Sequence, residues 1–194
     1  QRIRIIDKST DTLVKLIDDL LDAQKIEVGQ LKLNMKKLNL GNVIIETLEK
    51  FQQTISAKSI ILFQNVKSDI MIYGDRMRLE QVLQNIILNA VDFIPENNGK
   101  LDVVLTSDDD YATVSIIDNG VGIEPEKIKN LFDKFYQVST SYTRGHAGSG
   151  LGLAICKAII DKHEGSIGAH SEGKGKGSTF FFKLPLLKET VSNN

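Results

Sequence analysis

The 194-residue chain contains one cysteine, three prolines, no tryptophan and no marked excess of charge of either sign. The lone thiol of Cys156 cannot form an internal disulfide, which excludes a disulfide-stapled fold and fits a reducing compartment such as the cytoplasm. With 24 basic and 25 acidic residues, the net charge of −1 gives no electrostatic reason to expect a nucleic-acid partner. No apolar run reaches the roughly 18 residues that a membrane-spanning helix needs.

What the chain does contain is a globular composition, 41% hydrophobic and 25% charged, in a length that suits one domain and a small appendage. Its first residue is Gln1 rather than Met, and no signal-peptide pattern follows it. We therefore expect a piece of a longer protein, in which residues 189–194 form a disordered tail.

The first 28 residues carry the pattern of one amphipathic helix. Leu13, Leu16, Ile17 and Leu20 recur at helical spacing, the opposite face is charged, and Gly29 is a suitable stop. This helix either packs on its own domain or belongs to a bundle whose other helices lie elsewhere.

Beyond the first helix, helical and strand patterns follow one another irregularly. Strand-like alternation occurs at residues 31–33, 60–65, 70–73, 101–107, 111–118, 166–171 and 178–184. Helical spacing occurs at residues 40–58, 75–93, 125–131 and 151–163. Because strands and helices do not alternate strictly, the pattern predicts an α+β two-layer sandwich, with a mixed sheet covered by helices.

A first chemical signal is the segment from Asp118 to Ile123, Asp-Asn-Gly-Val-Gly-Ile. Apolar residues occupy every second position of the preceding strand, and Asp118 is next in that register. A carboxylate facing an apolar layer is costly unless a donor meets it, and an adenine amino group is a suitable donor. Gly120 and Gly122 would let the backbone approach a flat ring, although a plain Asp-Asn-Gly turn is the alternative.

A second signal is Gly148-Ser149-Gly150-Leu151-Gly152-Leu153, which opens a predicted helix. Glycine amides at a helix N-terminus suit phosphates. The run is not a dinucleotide fingerprint, because Leu153 stands where a third glycine would be, and it is not a Walker loop. A flexible hinge is the alternative.

A third signal is the polar stripe of Asn85, Asn89 and Asp92 on the helix that Asp75 can cap. An amide oxygen can bind a hard cation, and Mg²⁺ on phosphates takes few protein ligands. The alternative is a merely solvated face.

The fourth signal is the aromatic segment from Leu131 to Tyr136, which precedes the polar loop 136–149. Phe132 and Phe135 either anchor a mobile lid or belong to the core, and Arg144 could reach a terminal phosphate when such a lid closes.

In this order and spacing the four segments resemble the ATP-binding catalytic domain of sensor histidine kinases, the Bergerat fold. The asparagine box corresponds to residues 81–90, the first glycine box to 118–123, the aromatic box to 131–136 and the second glycine box to 148–155. The tail 171–180 is also similar, so the resemblance covers essentially the whole chain.

The resemblance implies a site for ATP and Mg²⁺. It implies that Asp118 binds the adenine amino group, that Asn89 is the Mg²⁺ ligand, that Asn85 lies near the phosphates, and that Arg144 contacts phosphate from the lid. Asn85, Asn89 and Arg144 are thus the expected catalytic residues. The other expected nucleotide-binding positions are Gly120, Gly122, Ile123, Phe135, Gly148, Gly150, Leu151, Gly152, Leu153 and Thr179.

One departure concerns Asp92, where the family often has a lysine. Loss of a cation facing phosphate removes charge stabilisation, so we expect either compensation by Arg144 or Lys134, or modest activity.

Related ATPases of the gyrase, heat-shock chaperone and mismatch-repair classes share the fold, and they place a water-activating glutamate where this chain has Asn85. Asp92 echoes their Asn-x-x-Asp pattern and keeps that alternative open. Residues 13–32, however, resemble the second dimerisation helix of histidine kinases. We expect residues 1–28 to be that helix of a truncated hairpin, and residues 29–188 to be the catalytic domain.

The expected function is transfer of the ATP γ-phosphate to a histidine on an upstream dimerisation helix, for relay to a response regulator receiver domain. His146, His163 and His170 lack the surroundings of an acceptor histidine, so we do not expect this chain alone to autophosphorylate. The parent protein is expected to be a homodimer, which could be membrane-anchored through other segments. The alternatives are an ATP-hydrolysing enzyme and a nucleotide-binding scaffold with weak kinase activity.

Overall fold

A computed structural model describes residues 2–67, 69–138 and 149–188. Arg144, Gly148 and the expected tail 189–194 lie outside the described residues. The described helices are α1 Arg2–Glu27, α2 Leu40–Ala57, α3 Arg76–Phe93, α4 Pro125–Ile128 and α5 Gly152–Lys162. The described strands are β1 Lys36–Asn39, β2 Ile61–Val66, β3 Met71–Gly74, β4 Lys100–Ser107, β5 Tyr111–Asp118, β6 Ser166–His170 and β7 Ser178–Pro185.

The main sheet has the strand order β2-β4-β5-β7-β6. Its β2–β4 pair is parallel and its other pairs are antiparallel, so the sheet is mixed. A second antiparallel pair, β1 and β3, adjoins the end of β7 through a bridge between Ile72 and Leu186. Helices α2, α3 and α5 pack against the main sheet, and this arrangement confirms the predicted α+β two-layer sandwich.

The core lies between the sheet and these helices. Residues at every second position of β4, β5 and β7 are buried, while their neighbours are half-buried or exposed. The stripe of α3 that includes Leu79, Val82, Leu83 and Ile86 is fully buried. Each such aliphatic side chain contributes about 1.5–3 kcal/mol on leaving water, so the period-2 and period-3.6 patterns together fix both layers.

Two local predictions were wrong. No strand forms at Leu31 and Leu33, whose alternation reflects an extended segment packing on the core, and the strand lies later, at Lys36–Asn39. The helix that begins at Pro125 ends at Ile128 rather than near Leu131. Beyond it the backbone makes successive tight turns, in which Leu131 donates to the Ile128 carbonyl.

The start of α3 is fixed by a buried polar cluster around Asp75. The Asp75 carboxylate caps α3 by accepting from the Arg78 amide at 3.2 Å, and it accepts from the Asn34 amide at 2.8 Å. The Asp75 amide donates to Nε2 of His163 at 2.9 Å, and Nδ1 of His163 lies 2.8 Å from the Ile159 carbonyl oxygen. His163 therefore accepts on one nitrogen and donates from the other, and it joins the end of α5 to the start of α3.

Helix α1 docks on the domain through polar contacts and through Ala23 and Ile26, which pack against the core. Nη1 of Arg78 lies 2.6 Å from Oδ2 of Asp22, and Nε2 of Gln81 donates to the same oxygen at 3.0 Å. The Ser149 hydroxyl and the Asp19 carboxylate are 3.5 Å apart. The apolar stripe of α1 remains exposed, with 38–58% of the surface of Leu13, Leu16, Ile17 and Leu20 accessible. None of the helices in the described ranges combines the length and apolar character needed to cross a membrane.

Stability should depend on pH through His163. Burial lowers the pKa of His163 below its usual value of 6.5, because the charged ring loses its hydration. Above pH 6.5 the ring is neutral in both the folded and the unfolded protein; below it the unfolded chain binds the proton more readily. The free energy of unfolding should therefore fall as the pH drops from about 6.5 through the folded pKa.

Urea unfolding between pH 5 and 8 tests this expectation. His163→Ala should lose about 1–3 kcal/mol at pH 8, because the Asp75 amide is left unpaired, and part of the pH dependence should disappear with it. His170→Ala, at an exposed position of β6, is the matched control. An unchanged pH profile in His163→Ala would contradict the assignment.

Removal of Arg78 should weaken the docking of α1. The Arg78 and Asp22 side chains are only 15% and 10% exposed, so Arg78→Ala strands a carboxylate in a largely dry contact. We expect a loss of about 2–4 kcal/mol in the free energy of unfolding. Arg76→Ala, on the same helix but at an exposed ion pair, should lose less than about 1 kcal/mol. Equal losses in the two variants would show that the Arg78–Asp22 pair does not hold α1.

Candidate functional site

Asp118 is a buried carboxylate at the end of β5, with 6% of its surface exposed. It faces the helical layer in the register that the sequence predicts. Its Oδ1 accepts from the Gly120 amide at 2.7 Å, and the amide and hydroxyl of Ser178 also donate to it. Burial raises the pKa of Asp118 from 3.8 to about 6, and the three donors limit that rise. At neutral pH the group is an anion in a poorly hydrated place, and a further donor would stabilise it.

The loop that follows Asp118 is fastened to the glycine-rich turn before β7. The Gly175 amide donates to the Val121 carbonyl at 2.7 Å, and the Gly177 amide donates to the Gly120 carbonyl at 3.2 Å. The Ile123 amide donates to the Ser171 hydroxyl at 2.9 Å. The first glycine box and the tail 171–180 thus form one backbone-lined surface.

Glycine is required at two positions of this surface. Gly122 has a φ of +69°, and a β-carbon there would collide with the Gly173 carbonyl. At Gly120 a β-carbon would lie 2.6 Å from both the Asp118 carboxylate and the Phe93 carbonyl oxygen. These close approaches favour the ligand-binding interpretation over a plain surface turn, because a simple turn does not need such crowding.

The asparagine box lies on α3, against the start of α5. Asn85 is 6% exposed, and its Nδ2 lies 3.4 Å from the Gly152 carbonyl oxygen. Asn89 is half-buried one turn later, and Asp92 is exposed at the end of the helix. The stripe is therefore not a uniformly solvated face: it passes from the base of α5 to the loop at Gly120.

The aromatic box and the second glycine box meet at the two ends of the predicted loop. The Phe135 amide donates to the Gly150 carbonyl at 2.9 Å, and both residues have positive φ, 63° and 70°. Phe132 is half-buried against the core, whereas Phe135 is 67% exposed. Phe132 therefore behaves as a core residue, and Phe135 remains available to a ligand or a lid.

A cavity of about 310 Å³ opens beside Gly120. Its wall combines the end of α3 with the first glycine box and one residue of the glycine-rich turn. The lining residues are Asp92, Phe93, Ile94, Pro95, Asn119, Gly120, Val121 and Gly175. The Phe93 carbonyl accepts from the Val121 amide at 3.2 Å, so helix and loop form a continuous wall.

The structure brings most of the predicted residues together, but it places Thr179 elsewhere. Ser178 pairs with Asp118, and Thr179 pairs with Ile117 on the opposite, solvent-facing side of the sheet. Ser178 is thus the residue that sequence reasoning missed. The register of β5 against β7 identifies it, since Ser178 directly follows the last glycine of the turn.

The remaining predicted positions divide by their surroundings. Leu151 is buried at the start of α5, and its amide lies 3.2 Å from the Ser149 hydroxyl oxygen. Ile123 and Leu153 are half-buried and pack against the core. Lys134, expected to compensate for Asp92, instead forms an ion pair with Glu27 of α1 at 3.3 Å. Asp92 is paired with Lys58.

The amino-acid sequence is similar to one protein family and to sensor kinases within it. Residues 74–188 match the family described as histidine kinase-, DNA gyrase B- and HSP90-like ATPase. The chain is 34% identical over 186 residues to the sensor histidine kinase RcsC of Escherichia coli (strain K12), a match that covers 95% of this chain and 19% of RcsC. It is 31% identical over 195 residues to the autoinducer 2 sensor kinase/phosphatase LuxQ of Vibrio vulnificus (strain YJ016), covering 97% of this chain and 22% of LuxQ. The chain thus spans about a fifth of the length of these relatives.

Solved structures give the same fold. Full-length ShkA in complex with AMPPNP matches with a TM-score of 0.82 at 25% identity, over 97% of this chain and 39% of ShkA. The nucleotide-free catalytic domain of histidine kinase ThkA matches with a TM-score of 0.69 at 30% identity, over 79% of this chain and 98% of that domain. The predicted Bergerat-type sandwich is confirmed. The buried carboxylate, the crowded glycines and the family match over more than half of the sequence agree: this chain belongs to the histidine kinase-, DNA gyrase B- and HSP90-like ATPases and carries a histidine kinase catalytic domain.

Proposed function

We propose that this domain binds MgATP and transfers the γ-phosphoryl group to a histidine on a dimerisation helix of its parent protein, for relay to a response regulator. The observation that carries the proposal is the buried Asp118 carboxyl group beside a glycine-lined cavity. An adenine amino group would supply this carboxylate with a fourth donor, beside the Gly120 amide and the two donors of Ser178. Gly120 and Gly122 carry no β-carbon, so a flat ring can approach the backbone of residues 119–122 closely.

The phosphate end of the site is proposed at the start of α5. Leu151 precedes the helix and provides no side-chain cap, so amides of the first turn remain free to face an anion. Asn85 contacts this turn through Gly152. Helix α3 thus joins the two parts of the proposed site, through Asn85 in its middle and through Asp92 and Phe93 at its end beside Gly120. Arg144 is proposed to reach the terminal phosphate from the lid.

Asn89 fits the role of the Mg²⁺ ligand. Its side chain is half-buried on the same face of α3 as Asn85, and an amide oxygen is a hard ligand of the kind that Mg²⁺ accepts. When bound, Mg²⁺ neutralises charge that develops on the transferred phosphoryl group. The domain itself contributes positioning of the nucleotide and exclusion of alternative geometries.

The character of Asn85 favours phosphoryl transfer over hydrolysis. A general base must accept a proton from the attacking water, and a neutral amide has no such basicity. Nδ2 of Asn85 is also directed at the Gly152 carbonyl and toward the Cys156 sulfur, 3.7 Å away. Asp92, which echoes the pattern of the hydrolysing relatives, is held in an ion pair with Lys58.

Helix α1 is proposed to be the second helix of the dimerisation hairpin. Its exposed leucine stripe suits a bundle formed with the acceptor helix and with a second protomer. The complex of histidine kinase ThkA with the response regulator TrrA matches with a TM-score of 0.74 at 27% identity, over 96% of this chain and 51% of that chain. This match supports a response regulator receiver domain as partner.

Asp118→Asn should remove nucleotide binding without unfolding the protein. A hydrogen bond to a charged group contributes about 1.5–3 kcal/mol, so ADP affinity should fall at least about tenfold in isothermal titration calorimetry. The variant also removes a charge whose raised pKa marks it as costly in the folded state, so the empty protein should be at least as stable as wild type at pH 7. Wild-type affinity should weaken as the pH falls below about 6.

Asp109→Asn, in the exposed β4–β5 turn, is the matched control and should bind ADP like wild type. Equal ADP affinity in Asp118→Asn and wild type would show that the base does not bind at this carboxylate.

Phosphoryl transfer can be tested in trans. Incubated with γ-labelled ATP and a separately produced acceptor hairpin, the domain should label the hairpin through an acid-labile phosphohistidine, and Asn89→Ala should abolish the label. The domain alone should remain unlabelled. Phosphate release from the domain alone at a rate above that of hairpin labelling would favour an ATP-hydrolysing enzyme, and nucleotide binding without any labelling would favour a scaffold.

A further inference from the structure

Lys58 connects the end of α2 to the end of α3. It is the C-cap residue of α2, and its Nζ donates to the Val91 carbonyl at 2.7 Å. The same nitrogen lies 3.4 Å from Oδ1 of Asp92. A cation at this point also complements the partial negative charge at the C-terminal end of α3. None of the four sequence signals includes Lys58.

The element that Lys58 holds is a wall of the nucleotide cavity. Asp92 and Phe93 line this cavity together with Gly120. The Phe93 carbonyl accepts from the Val121 amide, so a shift at the end of α3 passes directly to the loop that follows Asp118. Asp92 is the acidic member of the lining, and it lies one turn beyond Asn89 on the same helix.

An acidic residue at this position is unfavourable for a polyanionic ligand. Like charges repel across a partly desolvated cavity more strongly than in water, and the repulsion grows with each phosphate. A paired ammonium group reduces the net charge of the wall close to zero. The Lys58 and Asp92 side chains are 35% and 39% exposed, so bulk water screens their charges only in part.

We propose that Lys58 is a positioning residue for the nucleotide: it neutralises Asp92 and fixes the end of α3, so that the site accepts phosphates despite an acidic residue in its wall. The inference rests on the proposed nucleotide site. It assigns the compensating cation to Lys58 at the end of α2, outside the four boxes, in place of the expected Lys134.

The test compares ligands that differ only in phosphate number. Lys58→Ala should weaken ATP binding roughly 3- to 10-fold, ADP binding less and adenosine binding least, because the unpaired Asp92 charge acts on phosphates. Lys58→Arg should restore affinity. Asp92→Asn alone should bind ATP at least as tightly as wild type, and the double variant Lys58→Ala with Asp92→Asn should recover most of the loss.

Lys50→Ala is the matched control, since Lys50 lies on the same helix in an exposed ion pair with Glu80. It should leave all affinities unchanged. An equal loss for adenosine and ATP, or no recovery in the double variant, would overturn the electrostatic role of Lys58. Normal ATP binding by Lys58→Ala would overturn this inference alone, whereas a wild-type domain that binds no adenine nucleotide would overturn the proposed function and the inference together.

Discussion

The site depends on keeping one carboxylate charged in a place where water is scarce. The Asp118 carboxylate is stabilised there by hydrogen bonds from the Gly120 amide and from the amide and hydroxyl of Ser178. The loop after β5 and the turn before β7 supply these donors. The glycines follow from the same constraint, since backbone can approach a carboxylate and a helix end this closely only where no β-carbon intervenes. The site is therefore organised around a buried carboxylate that can accept one more hydrogen bond, which favours the binding of a hydrogen-bond donor.

Helix α3 connects the parts of the proposed site across the domain. Its first turn is fixed by Asp75 and His163, its middle carries Asn85 against α5, and its last turn forms the cavity wall that Lys58 holds. One buried face anchors the helix to the sheet, so that the polar groups on its flank have little freedom to drift. A single rigid element thus sets the distance between the base end and the phosphate end of the proposed site.

The sequence predicts secondary structure well wherever apolar residues recur at the period of a helix or a strand. The long amphipathic helices, the β4–β5 hairpin and the inward register of Asp118 follow directly from alternating apolar positions. It is less informative where a pattern has two physical causes: Leu31 and Leu33 alternate because an extended segment packs on the core, without a partner strand. The choice of Ser178 over Thr179 needed the pairing register of β5 and β7. The Lys58–Asp92 contact joins residues 34 positions apart, and Lys58 belongs to no motif. Such long-range polar contacts leave no local signature.

The way in which α1 meets the domain has a mechanical consequence. The contact combines two ion pairs, the Gln81 amide and the Ser149 hydroxyl with the apolar side chains of Ala23 and Ile26, while the leucines of the helix are exposed. Among the described side chains of α1, Ala23 and Ile26 are the ones that reach the apolar core, so separation of α1 would uncover little of that core. The largely buried Arg78–Asp22 ion pair would have to break first. The catalytic domain can therefore move from one position on α1 to another while most of its own hydrophobic core remains buried.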